Sequence, residues 1–227
     1  MKRKLFLLIL LTFILGISNI AAQERYLKPI DEGTQNTSFS KFRSKLISAV
    51  KNKDKKYLIS ILDSQIEVSF GGDNGIQDFK KFWEIDKANS EIWEELLLVL
   101  NNGGTFIQEK GKRTEQFCAP YTFTSFPEDL DAFEYNVIFG NNVRLRANPN
   151  LSSNTITKLS YNIVKIDFEN SVQDSKSDGR FTWYKIETLG GLKGFVSADY
   201  VRSPIAYRAC FEKKKGVWKM TAFIAGD

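Results

Sequence analysis

Two cysteines, Cys118 and Cys210, stand in a chain of 227 residues that contains no histidine, and both facts bound its chemistry. Without an imidazole there is no Cys-His or Ser-His relay and no histidine-ligated zinc or iron. Carboxylate-only catalysis stays open in principle, but no carboxylate pair stands out, so we expect a non-enzymatic protein with no cofactor and no metal. Glu128, Asp129, Asp131 and Glu134 lie close enough in sequence to suggest calcium. The calcium-loop pattern with its central glycine is missing there, and a surface turn is the simpler expectation. Gly71-Gly72-Asp73-Asn74-Gly75 lacks the Gly-Lys-Ser/Thr ending and the spacing of a phosphate cradle, so it reads as a turn. The two thiols admit two readings. They form one disulfide in an oxidising compartment, or they are two small buried thiols.

The compartment follows from the first residues. Lys2, Arg3 and Lys4 precede the apolar run Leu5 to Leu15, which Gly16, Ser18 and Asn19 end. That is the layout of a secretory signal peptide, and the run is short of the roughly 20 apolar residues of a membrane span. Ala21-Ala22-Gln23 offers small residues for cleavage after Ala22; the alternative is an uncleaved anchor. We therefore expect residues 1–22 to be a signal peptide and the mature chain to be periplasmic or secreted, without a stable membrane span. Cleavage removes three basic residues and no acidic one, so the net charge falls from +5 to +2. That balance gives no electrostatic case for a nucleic-acid partner.

The elements that must position any site can be read from spacing. Residues 23–37 are polar, with Pro29, Gly33 and Asn36, and read as a linker. Phe39, Phe42, Leu46, Ala49 and Val50 recur at helical spacing, with Lys41, Arg43, Lys45 and Lys51 opposite. Glu67 to Phe70 is β-prone. Ile76, Phe79, Phe82 and Trp83 resume helical spacing, and Ser90 is placed to cap a further helix carrying Leu96, Leu97, Val99 and Leu100. Thr105 to Ile107 and Phe117 to Phe123 read as strands. Glu169 to Asp178 is polar and reads as a long exposed loop.

Residues 135–202 carry the most specific pattern. Val143 and Leu145 alternate with Arg144 and Arg146, which sends one pair to a core and leaves the arginines wet. Gly190-Gly191 supplies a tight hairpin turn. Asn142-Val143-Arg144-Leu145-Arg146 running into Pro149 resembles the opening motif of bacterial SH3 domains. Trp183-Tyr184-Lys185-Ile186, Gly194-Phe195-Val196 and Asp199-Tyr200-Val201 follow in that family's order, with Phe195 where the family often has Trp. The resemblance implies a small SH3-like β-barrel, and it implies peptidoglycan or an envelope protein or peptide as partner. On that reading Tyr161, Tyr184, Tyr200, Arg144 and Arg146 are the candidate ligand-binding residues, with Trp183 and Phe195 in the core.

The chain continues past the barrel. Ala206 to Glu212 and Val217 to Ile224 flank Lys213-Lys214-Lys215-Gly216, and a four-residue loop pairs Phe211 with Trp218, Ala209 with Met220 and Tyr207 with Ala222. That register makes one apolar face and puts Cys210 on the other, within reach of Cys118 if the Phe117 strand is the neighbour. Such a hairpin must bury its face against something. The expected fold class is therefore α+β: a helical N-terminal segment with an antiparallel sheet, plus a small all-β barrel. The expected division is an α+β domain from residues 38–134 and 203–227 around a barrel at 135–202. Helices first, strands later and a closing Gly-x-Trp-Lys hairpin resemble, in layout, the cone-shaped fold of nuclear transport factor-like proteins. A second functional reading makes the barrel a spacer and gives the ligand or partner to an apolar pocket of the α+β domain, lined by Phe79, Trp83 and Trp93.

Overall fold

A computed structural model describes residues 23–107, 116–176 and 179–226; the signal-peptide reading of residues 1–22 lies outside them. The helices come first: α1 (Thr37–Lys51), α2 (Lys55–Ser60), then β1 (Leu62–Glu67), α3 (Ile76–Phe82) and α4 (Ile92–Leu100). Strands β2 (Thr105–Ile107) and β3 (Gln116–Ala119) lead to a short helix, α5 (Tyr121–Thr124). The second run is β4 (Tyr135–Ile138), β5 (Val143–Arg146), β6 (Thr155–Leu159), β7 (Ile163–Gln173), β8 (Phe181–Thr188), β9 (Lys193–Ser197) and β10 (Val201–Arg202). A final hairpin, β11 (Arg208–Lys214) and β12 (Val217–Ile224), closes the chain. The described strands form two sheets, ordered β1-β12-β11-β3-β2 and β10-β4-β7-β8-β9-β5-β6. The fold is α+β, and its second sheet curls into the half-barrel expected of residues 135–202.

Helix α1 starts where Asn36 accepts hydrogen bonds from the backbone N–H of Ser38 and Phe39, both 3.1 Å, the usual stabilisation of an N-terminus. Its apolar stripe presses on the first sheet. Phe39 lies 4.2 Å from Phe117 and 4.9 Å from Trp218, ring centre to ring centre. Each such buried side chain contributes about 1.5–3 kcal/mol. Arg43, assigned to the polar face, is buried too. It donates two bonds to the Asp31 carboxylate, at 2.6 and 2.7 Å, and lies over the Phe117 ring.

Asp31 belongs to residues 23–37, which are no free linker. The Leu27 N–H donates to the Tyr161 carbonyl at 2.7 Å, and the Ile163 N–H donates to that of Arg25. Glu24 accepts bonds from Asn162 and Thr188 on the barrel side. Further along, the Glu32 N–H meets the Gly104 carbonyl, and the Glu32 carboxylate accepts the Phe106 N–H at 2.8 Å. The segment is a strap that touches both sheets and covers the edge of β2, an edge that would otherwise invite another strand. Gly104 permits the approach: at its φ of +148° a Cβ would stand 2.1 Å from the Cys118 carbonyl oxygen.

Several expected boundaries move. The strand expected at Glu67 to Phe70 lies earlier, at Leu62–Glu67, because its parallel pairing with β12 outweighs the local β-propensity of Val68 and Phe70. Ser90 does not cap α4; its hydroxyl donates to the Trp83 carbonyl instead. The strand expected to run to Phe123 stops at Ala119 before the cis Ala119–Pro120 bond, and α5 takes over. The loop expected from Glu169 begins later, since β7 continues to Gln173 with Val172 paired to Trp183.

The closing hairpin also departs from its expected register. Lys215 and Gly216 both have positive φ, 49° and 84°, as a two-residue type I′ turn requires. Lys213 therefore faces Trp218 and Phe211 faces Met220, and a bulge after Cys210 then pairs Cys210 with Ala222 and Ala209 with Phe223. Bulges reverse alternation. Ala209, Phe211, Trp218, Met220 and Phe223 thus share the helix-facing core, while Ala222 joins Cys210 on the far side. There Cys210 pairs directly with Cys118 of β3, and the two form a disulfide.

Candidate functional site

The barrel core is small: Ile138, Val143, Leu145, Leu159, Val164, Ile186 and Val196 are buried together, with Tyr184 packed against them. Strand alternation fixes what faces away. Arg144 stands between the buried Val143 and Leu145 on β5, and across the hairpin it is directly opposite Lys158 on β6. Both are exposed. Among the described residues neither has an acidic partner. Like charges in register on neighbouring strands repel, so the pair costs stability unless an anion reaches it.

Around that pair lies a groove of about 420 Å³. Arg146, Trp183, Tyr200 and Leu151 complete its functional lining. Tyr200 sits on a 3-10 turn at Ala198–Tyr200 and is half exposed, and Leu151 at 79 % exposure lies at the tip of the β5–β6 loop. Arg146 departs from its expected solvation. The register shift after Leu145 turns it inward, where it is buried and its Nη1 donates to the Ser153 carbonyl at 2.8 Å. This bond ties down the β5–β6 loop that carries Leu151. The arrangement offers two exposed cations, one anchored guanidinium and two aromatic faces, which suits an anionic ligand with flat or apolar parts.

Three of the five candidate residues, Arg144, Arg146 and Tyr200, meet in this groove; Tyr161 and Tyr184 do not line it. Tyr161 has a φ of +61°, its N–H donates to the Gly140 carbonyl at 3.1 Å and its own carbonyl receives the strap. Its backbone therefore holds the barrel to residues 23–37. Tyr184 shares strand parity with Ile186, so it packs inward, and burial raises its phenol above the ordinary value. Its ring meets Phe181 at 5.1 Å and Phe168 at 6.0 Å. Trp183, expected in the core, has the opposite parity and lines the groove from a half-buried position. Period-two alternation along Trp183-Tyr184-Lys185-Ile186 was the available signal. Lys158 had no such signal, because its place opposite Arg144 depends on the hairpin register.

Phe79, Trp83 and Trp93, expected to line an apolar pocket, are all buried in the core under α3 and α4; of the three, Trp83 also reaches the lining of a groove of about 620 Å³ beside α4. No described helix is long and apolar enough to cross a membrane. Comparison with known families shows that residues 141–202 match the bacterial SH3 domain. No curated protein and no solved structure matches the chain.

Proposed function

We propose, with the bacterial SH3 domain at residues 141–202 as premise, that this is an exported, non-catalytic binding protein of the bacterial cell envelope. Its barrel groove takes peptidoglycan or a protein or peptide ligand. The single observation that carries the reading is the unneutralised Arg144–Lys158 pair beside Trp183 and Tyr200 in one groove. A carboxylate-bearing ligand relieves the repulsion, and the aromatic faces orient its apolar portion. The disulfide supports the compartment, since such bonds persist where thiols are not kept reduced.

Sedimentation of the exported form with isolated peptidoglycan tests this. Co-sedimentation at low salt is expected, weakened by added salt and by the double variant Arg144→Ala/Lys158→Ala. A protein that stays in the supernatant at low salt removes peptidoglycan as the ligand, and a double variant that pellets like the parent removes the groove as its site.

A further inference from the structure

The barrel groove contains a buried charge that its own chain leaves unmatched. Arg146 is only 7 % exposed, and among the described residues no carboxylate pairs with it. Two other arginines show what is missing. Arg43 and Arg202, each 8 % exposed, meet carboxylates, Asp31 at 2.6 Å and Glu95 at 3.0 Å. A guanidinium cannot shed its proton to escape burial, so burying one without a counter-ion opposes folding.

The part of the group left over is specific. Its Nη1 already donates to the Ser153 carbonyl at 2.8 Å. The Nε–H and Nη2 have no acceptor among the described residues, and unlike the Nε of Arg202 neither is sealed from solvent. These two donors share one edge of the guanidinium, the kind of edge that takes a carboxylate through two parallel bonds. Two residues back on β5, the exposed Arg144 faces Lys158 in register. Three cations thus line the groove, and no acidic residue does.

We propose, building on the barrel groove as the ligand site but not on peptidoglycan as the ligand, that the groove takes a dicarboxylate unit, a peptide terminus of glutamate type. One carboxylate lies along the free edge of Arg146, and the other bridges Arg144 and Lys158. The carbons between them rest on Trp183 and Tyr200, which line the same groove. A single carboxylate leaves either the buried guanidinium unmatched or the exposed pair in mutual repulsion. A phosphate carries its charge at one point and serves one of the two positions only.

The test titrates N-acetylglutamate, N-acetylglutamine and N-acetylisoglutamine into the isotope-labelled exported form at equal ionic strength, with inorganic phosphate as the fourth probe. Each of the two amides lacks one carboxylate. Kd is read from the backbone amide shifts of Arg146, Lys158 and Trp183. N-acetylglutamate is expected to bind saturably and each amide about tenfold or more weaker, worth ~1.4 kcal/mol. Arg146→Lys keeps the charge but loses the paired donors, and raises the N-acetylglutamate Kd by a similar factor. Arg144→Ala/Lys158→Ala raises it to the value of the amides. Equal Kd values for N-acetylglutamate and the amides, no saturable shift, tighter binding of phosphate, or an unaltered Kd in either folded variant overturns the proposal. Release of pelleted protein from peptidoglycan by N-acetylglutamate identifies the wall as the source of the dicarboxylate; saturable binding by a protein that does not pellet identifies a free peptide terminus. A protein that pellets yet binds N-acetylglutamate and the amides equally keeps the envelope reading and loses this one, so the two fail separately.

Discussion

At the scale of single residues, charge placement is decided by neighbours the chain brings from far away. Asp63 on β1 shows this. Burial opposes its ionisation, but the Lys214 ammonium at 2.7 Å, the Gln65 N–H and the charges of Lys214 and Lys219 together hold its carboxyl below the ordinary value. A carboxyl depressed in the folded state adds stability above its unfolded pKa, and that stability is lost as pH falls through the folded one. Lys214→Ala should therefore raise the Asp63 pKa in an NMR titration and move acid unfolding to higher pH. An unmoved pKa would assign the depression to the Gln65 N–H and Lys219. Residue roles were legible where strand parity sufficed: Val143 and Leu145 point inward as read. Arg146 was not legible, because a single register shift reverses parity and leaves no local mark.

Elements were legible in type and less so at their ends. The helical spacing of Phe39, Leu46 and Val50 and the alternation on β5 survive in the fold. The start of β1 and the end of β3 are set by pairing with the last hairpin, which lies some 150 and 90 residues further along the chain. The hairpin's register is fixed at its own turn, Lys215-Gly216, whose two positive φ values make the type I′ geometry that matches the strand twist. A Cβ added to Gly216 meets nothing within 4 Å. Gly216→Ala should thus cost only the left-handed backbone penalty, about 1–2 kcal/mol, seen as a lower denaturation midpoint with an unchanged slope. A much larger loss would show that the turn packs against something.

At the scale of the molecule, the disulfide and the strap join what the chain order separates. Cys118 and Cys210 are 92 residues apart, and the whole second sheet lies in the loop they close. Opening so long a loop costs roughly 2–4 kcal/mol, a stabilisation specific to the first sheet if the barrel folds on its own core. Hydrogen exchange after replacing both cysteines with alanine should accelerate in β11 and β12 by that amount and leave β7 and β8 little changed; equal acceleration of both would mean that the sheets unfold as one unit. The sequence by itself determined the α+β class, the SH3-like barrel and the need for a buried partner under the last hairpin, because these follow from local periodicity and from apolar faces too large to leave wet. Only the tertiary structure decided that residues 23–37 strap both sheets, that Lys158 and Trp183 replace Tyr161 and Tyr184 beside Arg144, and that Arg146 turns inward beside them. Those outcomes depend on register and on contacts between distant segments, which composition and spacing do not encode.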